Sequence, residues 1–229
     1  VQLRGGECLY GKAIISNATL WDTVNQLLPQ EGVPKPEQKL ADGMEAIPSF
    51  MHLHLGIRAD GLDHLTGHHV VVGDGDVATP GNTCMISIPT VWDTSLAPDG
   101  HHTIHAYTLE PSQGWSYGKG YAEKKQERIQ RLYQALEQVI PDVRDRCVLE
   151  LIGTPLTHAR FLRRHQGTYG PAIPAGERQF PGGQTSIPGL YRVGDSTMPG
   201  IGVPAVAASG MLCHNSLVPK RQTDEMMKQ

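Results

Sequence analysis

The chain has 229 residues, of which 39% are hydrophobic and 19% charged, and its formal net charge is −3. This near-neutral charge, with basic residues spread along the chain, argues against nucleic acid as a partner. The four cysteines form no Cys-x-x-Cys pair, so neither a zinc knuckle nor a disulfide-stabilised mini-domain is predicted. We expect no transmembrane segment and no leader peptide, because no apolar run reaches the roughly 18 to 20 residues that span a bilayer.

The first 42 residues indicate a short strand and one helix. A turn at residues 5–6 precedes an apolar strand at Lys12–Ser16. Apolar side chains at helical spacing predict a helix over Leu20–Leu28, which Pro29 ends. The polar, proline-rich stretch Pro29–Asp42 is expected to be a loop.

The middle of the chain predicts an antiparallel sheet followed by helices. Apolar residues alternate with His52 and His54, which is typical of a strand with one buried face. The four strand-like segments are Phe50–Ile57, His69–Gly73, Cys84–Pro89 and Thr103–Tyr107. An apolar stripe predicts a helix over Tyr121–Ile140, and a strand and a helix follow within Cys147–Arg164.

A glycine-rich loop near the end of the chain has the composition of a binding site. The strand-like Leu190–Asp195 leads into Pro199–Pro204 and then into a small-residue helix, Val203–Leu217. Loop amides and a helix N-terminus suit an anion or a polarised carbonyl oxygen, and glycine lets backbone approach a flat ring. The carboxylate of Asp195 can accept hydrogen bonds from sugar-like hydroxyls. Strand, loop and helix are equally a plain packing unit.

The residues 193–210, Val-Gly-Asp-Ser-Thr-Met-Pro-Gly-Ile-Gly-Val-Pro-Ala-Val-Ala-Ala-Ser-Gly, closely resemble the C-terminal flavin motif of carotenoid (prolycopene) isomerases and bacterial-type phytoene desaturases. Ala13–Ala18, Gly153–Thr157 and Gly167–Ala172 resemble further stretches of that family in the same order. The chain therefore resembles the C-terminal portion of such an FAD-dependent flavoprotein.

The resemblance implies an α/β and α+β fold, a Rossmann-like FAD/NAD(P)-binding domain with an inserted antiparallel-sheet substrate domain. Residues 1–19 and 165–229 would belong to the FAD domain, and residues 20–164 to the substrate-binding domain. The implied cofactor-binding residues are Gly194, Asp195, Pro199, Gly200, Ile201, Gly202, Val203, Pro204 and Ala205.

The family's Gly-x-Gly-x-x-Gly motif for the ADP half of FAD does not occur in this sequence, and Gly73–Asp76 reads as a turn. Alone, the chain is expected to offer FAD a half-site and to bind it weakly or not at all. A separate N-terminal FAD-domain polypeptide is one possible source of the ADP site.

Eleven histidines raise the question of a metal site. His52 and His54 alternate on one strand face, and His68, His69, His101, His102 and His105 are further possible ligands. No His-Glu-x-x-His occurs and no acid or cysteine completes a site, so we predict none. A Ser-His-Asp set is not supported either. His158 and Arg160 lie near a segment that approaches the flavin in the family, although a surface role fits equally. No catalytic residue is assigned.

The resemblance implies a carotenoid cis–trans isomerase-like or desaturase-like oxidoreductase. Apolar residues that could line a polyene tunnel, or belong to the core instead, are Trp21, Phe50, Met85, Trp92 and Trp115. The alternative is a non-catalytic structural or interaction subunit, or a truncated relative, in a photosynthetic membrane complex. The family implies a plastid location, in the stroma or at the thylakoid surface, or the periphery of a cyanobacterial membrane.

Overall fold

The computed structural model describes residues 1–73, 75–77, 79–176 and 179–226. The strands are β1 (Ile14–Ser16), β2 (Ser49–Arg58), β3 (His68–Val72), β4 (Thr83–Ser87), β5 (His101–Glu110), β6 (Cys147–Gly153) and β7 (Leu190–Arg192). The α-helices are α1 (Leu20–Asp22), α2 (Lys35–Asp42), α3 (Tyr121–Val139), α4 (Val143–Arg146), α5 (Pro155–Phe161), α6 (Val203–Leu217) and α7 (Lys220–Met226). No helix in this described part of the chain is long and apolar enough to cross a bilayer.

The chain divides into two compact units. The first comprises residues 1–47 and 169–229, and the second comprises residues 48–168. Residues 20–47, which the sequence placed with the substrate-binding domain, therefore lie in the first unit. The contacts that hold them there include the ion pair between Glu37 and Arg192 and the bridge between Ala46 and Pro171. The binding roles assigned to the units remain predictions.

In the first unit, β1 and β7 form a parallel pair, with Ile14 opposite Leu190 and Ser16 opposite Arg192. The sequence indicated both strands by their short apolar runs. Parallel pairing brings the carboxyl ends of both strands to one edge, which is where α/β folds of this kind bind ligands. The helix α6 begins eleven residues after β7 ends, and its predicted bounds are confirmed.

The loop prediction for Pro29–Asp42 is wrong in its second half, where α2 lies. Pro34 caps this helix and Pro36 lies in its first turn, where the missing N–H of proline costs no hydrogen bond. Prolines that indicated a loop therefore begin a helix. The predicted helix over Leu20–Leu28 is found, as α1 followed by a π-helical turn at Thr23–Leu27.

A buried ion pair joins α2 to β7. The guanidinium of Arg192 donates to the carboxylate of Glu37, and both residues are 4% exposed. The N–H of Ser186 donates to the other carboxylate oxygen at 2.6 Å. Burial alone would raise the pKa of Glu37, but the Ser186 N–H and the Arg192 charge outweigh it and hold that pKa below its usual value.

In the second unit, the five-stranded sheet has the order β3-β4-β5-β2-β6, and every neighbouring pair is antiparallel. The predicted antiparallel sheet and mixed α/β, α+β class are confirmed. The inner face, with Met51, Leu53 and Ile104, packs against α3 in the main hydrophobic core. The outer face carries the residues that point away from this core, because successive side chains of a strand alternate between faces.

The inner face is held mainly by the apolar stripe of α3. Ile129, Leu132 and Leu136 are fully buried and lie three or four residues apart, on one side of the helix. The helix ends at Val139 and Pro141 follows shortly after, as the sequence indicated.

Truncating this stripe should destabilise the second unit. We expect Leu132→Ala to lower its free energy of unfolding by about 2–5 kcal/mol, because the change removes apolar contacts and leaves a cavity. Urea denaturation followed by circular dichroism measures the effect. The matched control is Gln134→Ala on the exposed side of the same helix, which should change the value by less than about 0.5 kcal/mol. Equal losses in both variants would contradict the packing described.

Neutralising Glu37 should destabilise the first unit. Glu37→Gln keeps an acceptor for Ser186 but leaves the Arg192 charge buried without its counter-ion, so we expect a loss of about 3–5 kcal/mol at pH 7. The double variant Glu37→Leu/Arg192→Met removes both charges and should lie closer to the parent protein. Urea unfolding of the three proteins tests this order.

The effect of Glu37→Gln should depend on pH. The folded-state pKa of Glu37 lies below the ordinary 4.5, so the carboxylate stabilises the fold fully above that pH. This contribution is lost as the pH falls through the folded-state pKa, where the protonated side chain resembles glutamine. The gap in unfolding free energy between parent and variant should therefore close on acidification. A gap that stays constant would argue against the ion pair.

Candidate functional site

The segment Gly194–Ala205, the candidate cofactor segment, begins directly after the parallel strand pair. The Val193 N–H donates to the carbonyl of Ser16 at 3.0 Å and so extends the ladder beyond β7. The Gly194 N–H donates to Oγ of Ser209 on α6 at 2.8 Å. Because Ser209 is buried, this bond ties the start of the segment to the helix that follows it.

Two glycines of the segment are explained by packing inside the first unit. Gly194 has φ +101°, and a Cβ there would lie 2.4 Å from Oδ1 of Asn17. Gly200 has φ +131°, and a Cβ there would lie 2.9 Å from the ring of Phe180. Both glycines are buried. Larger residues are excluded at these positions whether or not a ligand binds.

The loop between these glycines is anchored to the neighbouring chain segment. The hydroxyl of Thr197 and the N–H of Met198 both donate to the carbonyl of Pro181, at 2.6 and 2.8 Å. Thr197 is buried, whereas Asp195 is half-buried at the carboxyl end of the strand pair. The peptide bond before Pro199 is cis. The anchored loop holds the Asp195 backbone close to the end of β7.

Gly202 differs from the other two glycines. It has φ +105°, yet a Cβ there would meet no atom within 4 Å. It lies just before α6, whose first turn contains the exposed Val203 and Pro204. The first N–H groups of a helix have no partner within the helix and carry partial positive charge. The backbone at Gly202 is therefore open to an approaching anion or polarised oxygen.

The structure places the nine predicted residues along one continuous stretch with graded exposure. Buried members are Gly194 and Gly200, half-buried members are Asp195 and Ala205, and exposed members are Pro199, Ile201, Gly202, Val203 and Pro204. The exposed residues are therefore concentrated at 201–204, directly before and in the first turn of α6.

The second unit brings three imidazoles together on the outer face of its sheet. His54 lies directly opposite His105 in the ladder between β2 and β5, and His52 is the next residue on that face of β2. His52 Nδ1 and His105 Nε2 share a hydrogen bond of 2.6 Å. One potential ligand nitrogen from each ring lies within 4.8 Å of the others. His52, His54 and His105 are called the three-histidine group below.

Sequence spacing identified the pair on β2 and counted His105 among further possible ligands, but it did not place His105 beside that pair. His105 stands more than fifty residues away and joins the pair only through strand pairing. His158 on α5 packs beside them, with its ring centroid 4.6 Å from that of His52. It is buried rather than on the surface, while Arg160 is exposed.

Burial keeps these imidazoles neutral. Desolvation, with smaller contributions from His158, His105 and His54, lowers the pKa of His52 to about 3. Desolvation and the neighbouring imidazoles lower the pKa of His105 to about 4. Burial also lowers the pKa values of His54 and His158. At neutral pH each of these rings therefore has a lone pair for a hydrogen bond or a metal.

The candidate tunnel residues separate into core and surface. Trp21 and Trp115 are buried in the cores of their units, whereas Trp92 is 62% exposed. Met85 is paired with Tyr107, and Tyr107 with His52, so all three lie on the outer face. This face also carries exposed apolar residues, namely Val70, Val72, Leu149 and Leu151.

No protein-family model matches the chain. Over 222 residues, 93% of the chain, it is 42% identical to the chloroplastic prolycopene isomerase 2 of an Oncidium hybrid cultivar, of which it covers 38%. It is 41% identical to the chloroplastic prolycopene isomerase of Arabidopsis thaliana, of which it covers 37%. It is 25% identical over 248 residues to the neurosporene-forming phytoene desaturase of Rhodobacter capsulatus, covering 97% of the chain and 46% of that protein.

Solved structures share the fold at lower sequence identity. An oxidoreductase from Methanosarcina mazei superposes with a TM-score of 0.55 and 20% identity, over 87% of the chain and 42% of that structure. A Pyrococcus furiosus protein superposes with a TM-score of 0.52 and 18% identity, over 94% of the chain and 43% of that structure. The chain spans less than half the length of the curated relatives it matches. These matches confirm the predicted resemblance of the chain to a C-terminal portion of the prolycopene isomerase and phytoene desaturase family.

Proposed function

We propose that this chain forms the flavin-ring half of an FAD site in a carotenoid isomerase-like or desaturase-like oxidoreductase. The observation that carries the proposal is the open backbone at Gly202, between the carboxyl ends of a parallel strand pair and the N-terminus of α6. A glycine in a left-handed conformation with empty space beside it fits a flat ring that approaches the backbone.

The residues of the candidate cofactor segment fit the parts of a flavin. The N–H groups of Val203 and Ala205 lie in the first turn of α6 and suit the polar edge of the pyrimidine ring. The carboxylate of Asp195 suits the ribityl hydroxyls. When bound, the flavin would supply the electron and proton chemistry, while the chain would orient the ring and exclude water.

The ADP half of FAD requires residues that this sequence lacks, since it contains no Gly-x-Gly-x-x-Gly. We assign that role to an N-terminal FAD-domain polypeptide. Ile14 and Ile15 on β1 are 38% and 52% exposed, although parallel sheets are normally covered on both faces. Val203 and Met211 on α6 are exposed as well. These apolar residues would contact that polypeptide, and the chain alone would hold FAD weakly.

The outer face of the sheet supplies an apolar surface for a polyene. Val70, Leu149 and Leu151 are each more than half exposed there, which suits a hydrocarbon ligand better than water. We assign carotenoid binding to this outer face, in agreement with the names of the relatives.

An isomerase would return the polyene with no net redox change. A desaturase would transfer a hydride from the polyene to the flavin and release a proton from the adjacent carbon to solvent, which forms the new double bond. The chloroplastic relatives support a plastid location. We assign the chain to the stroma or the thylakoid surface, with peripheral membrane or complex association. The alternative of a purely structural subunit has no support from the relatives' names.

Isomerisation and desaturation are distinguished by supplying a cis-carotenoid and separating the products. Isomerisation gives a product of equal mass, and desaturation gives one that lacks two hydrogens.

Gly202→Val should release flavin from the intact protein, in which this chain is joined by the N-terminal FAD-domain polypeptide. The new side chain would occupy the open space beside the backbone, so we expect at least about tenfold less flavin absorbance per mole of protein. The matched control is Gly32→Val, because Gly32 has φ +99° and a Cβ there would also meet no atom within 4 Å. Gly32→Val therefore also places a side chain at a residue with positive φ, but outside the candidate cofactor segment. Equal flavin content in both variants would contradict the placement of the ring.

Leu151→Asp should weaken carotenoid binding by about tenfold or more, because a charge replaces an apolar contact. Leu96→Asp is the control, since Leu96 is 52% exposed, close to the 57% of Leu151, but lies outside the sheet. Binding is measured by titrating the solubilised carotenoid against quenching of tryptophan fluorescence. A similar loss in both variants would exclude the outer face as the specific surface.

A further inference from the structure

The three-histidine group stands apart from the flavin proposal, because all its members lie in the second unit and on regular strands. Two parts of the fold constrain its rings. The ladder between β2 and β5 fixes the backbone of all three residues, and α5 packs His158 against the ring of His52. The rings of His52 and His105 are within 9° of parallel, as are those of His54 and His105. The strand ladder therefore fixes the backbone positions from which the three rings meet.

The nitrogen positions are close to those that a metal ion needs. In a tetrahedral site with metal–nitrogen bonds of about 2.1 Å, the ligand nitrogens lie about 3.4 Å apart. Here the closest pair is 2.6 Å apart and the three ligand nitrogens lie within 4.8 Å of one another. A shared ion would replace the hydrogen bond between His52 and His105, and the rings would turn out of their near-parallel stacking, because an imidazole binds a metal in its own plane.

The chemistry of the rings also suits a metal. Neutral imidazole is the ligand form, and burial maintains it in all three residues. The Nε2 atom of His52 is buried and has no hydrogen-bond partner among the described residues. The Nδ1 atom of the same ring faces His105, so Nδ1 is the nitrogen available to a shared ion, and Nε2 would carry the proton of the metal-bound imidazole. Exposure rises from His52 through His105 to His54, which gives an ion access from solvent.

We propose that His52, His54 and His105 bind a divalent transition-metal ion of the Zn²⁺ type on the outer face of the five-stranded sheet. Three imidazoles leave one tetrahedral position open to solvent or a ligand. The ion would cross-link β2 to β5 at the centre of the sheet. The proposal goes beyond flavin and carotenoid binding and does not depend on either.

The test is a titration of the purified, chelator-treated protein with Zn²⁺ by calorimetry and with Co²⁺ by visible absorption. We expect one Zn²⁺ per chain and a tetrahedral Co²⁺ spectrum. His54→Ala and His105→Ala should each weaken Zn²⁺ binding by at least about tenfold, the lower limit for losing even an outer-shell partner. His54 is exposed, so its replacement leaves the core intact, and circular dichroism verifies folding of both variants.

The controls are His64→Ala and His68→Ala, which remove exposed histidines outside the group. They should bind Zn²⁺ as the parent protein does. The proposal is overturned if the parent binds no stoichiometric Zn²⁺, or if folded His54→Ala and His105→Ala bind it as tightly as the parent. It is also overturned if the control variants lose as much affinity, since surface histidines would then hold the ion.

Discussion

The charge of Arg192 is the constraint on which the first unit depends. A guanidinium at the end of a strand, almost wholly removed from water, is tolerated only beside a carboxylate, and Glu37 of α2 supplies it. The pair holds α2 against β7 and thereby positions the small core that contains Trp21 and Ala41. Arg192 is the last residue of β7, so the pair anchors the strand end two residues before the candidate cofactor segment begins at Gly194.

The glycines of this segment serve two different physical purposes. Gly194 and Gly200 are required because Asn17 and Phe180 occupy the space that a side chain would take. Gly202 has the same backbone preference but no neighbour, so packing within the described chain does not explain it. The motif therefore has two parts. Gly194 and Gly200 allow the loop to pack against its neighbours, whereas Gly202 leaves space that is available to a ligand.

The two faces of the antiparallel sheet show a similar separation. The inner face follows ordinary core packing against α3, with Leu53 and Ile104 almost fully removed from water. The outer face combines exposed leucines and valines with imidazoles that burial keeps neutral. Neutral rings can lie beside a hydrocarbon or coordinate a cation, and charged rings could do neither well. The protonation state of this face is thus decided by its burial.

The sequence by itself determined the elements whose signals are local. Alternation along β2 and the stripe of α3 follow from the periodicity of neighbouring residues, and the helix α6 follows from its small, apolar composition. It also identified the candidate cofactor segment through resemblance, although not which glycine is open. Tertiary structure alone decided two features, the buried partner of Arg192 and the position of His105 beside His52, because each depends on contacts between residues more than fifty positions apart. The helix α2 was missed for a local reason, because the prolines that begin it also indicate a turn. Periodicity shows which face a residue occupies, but strand order and packing decide what it meets there.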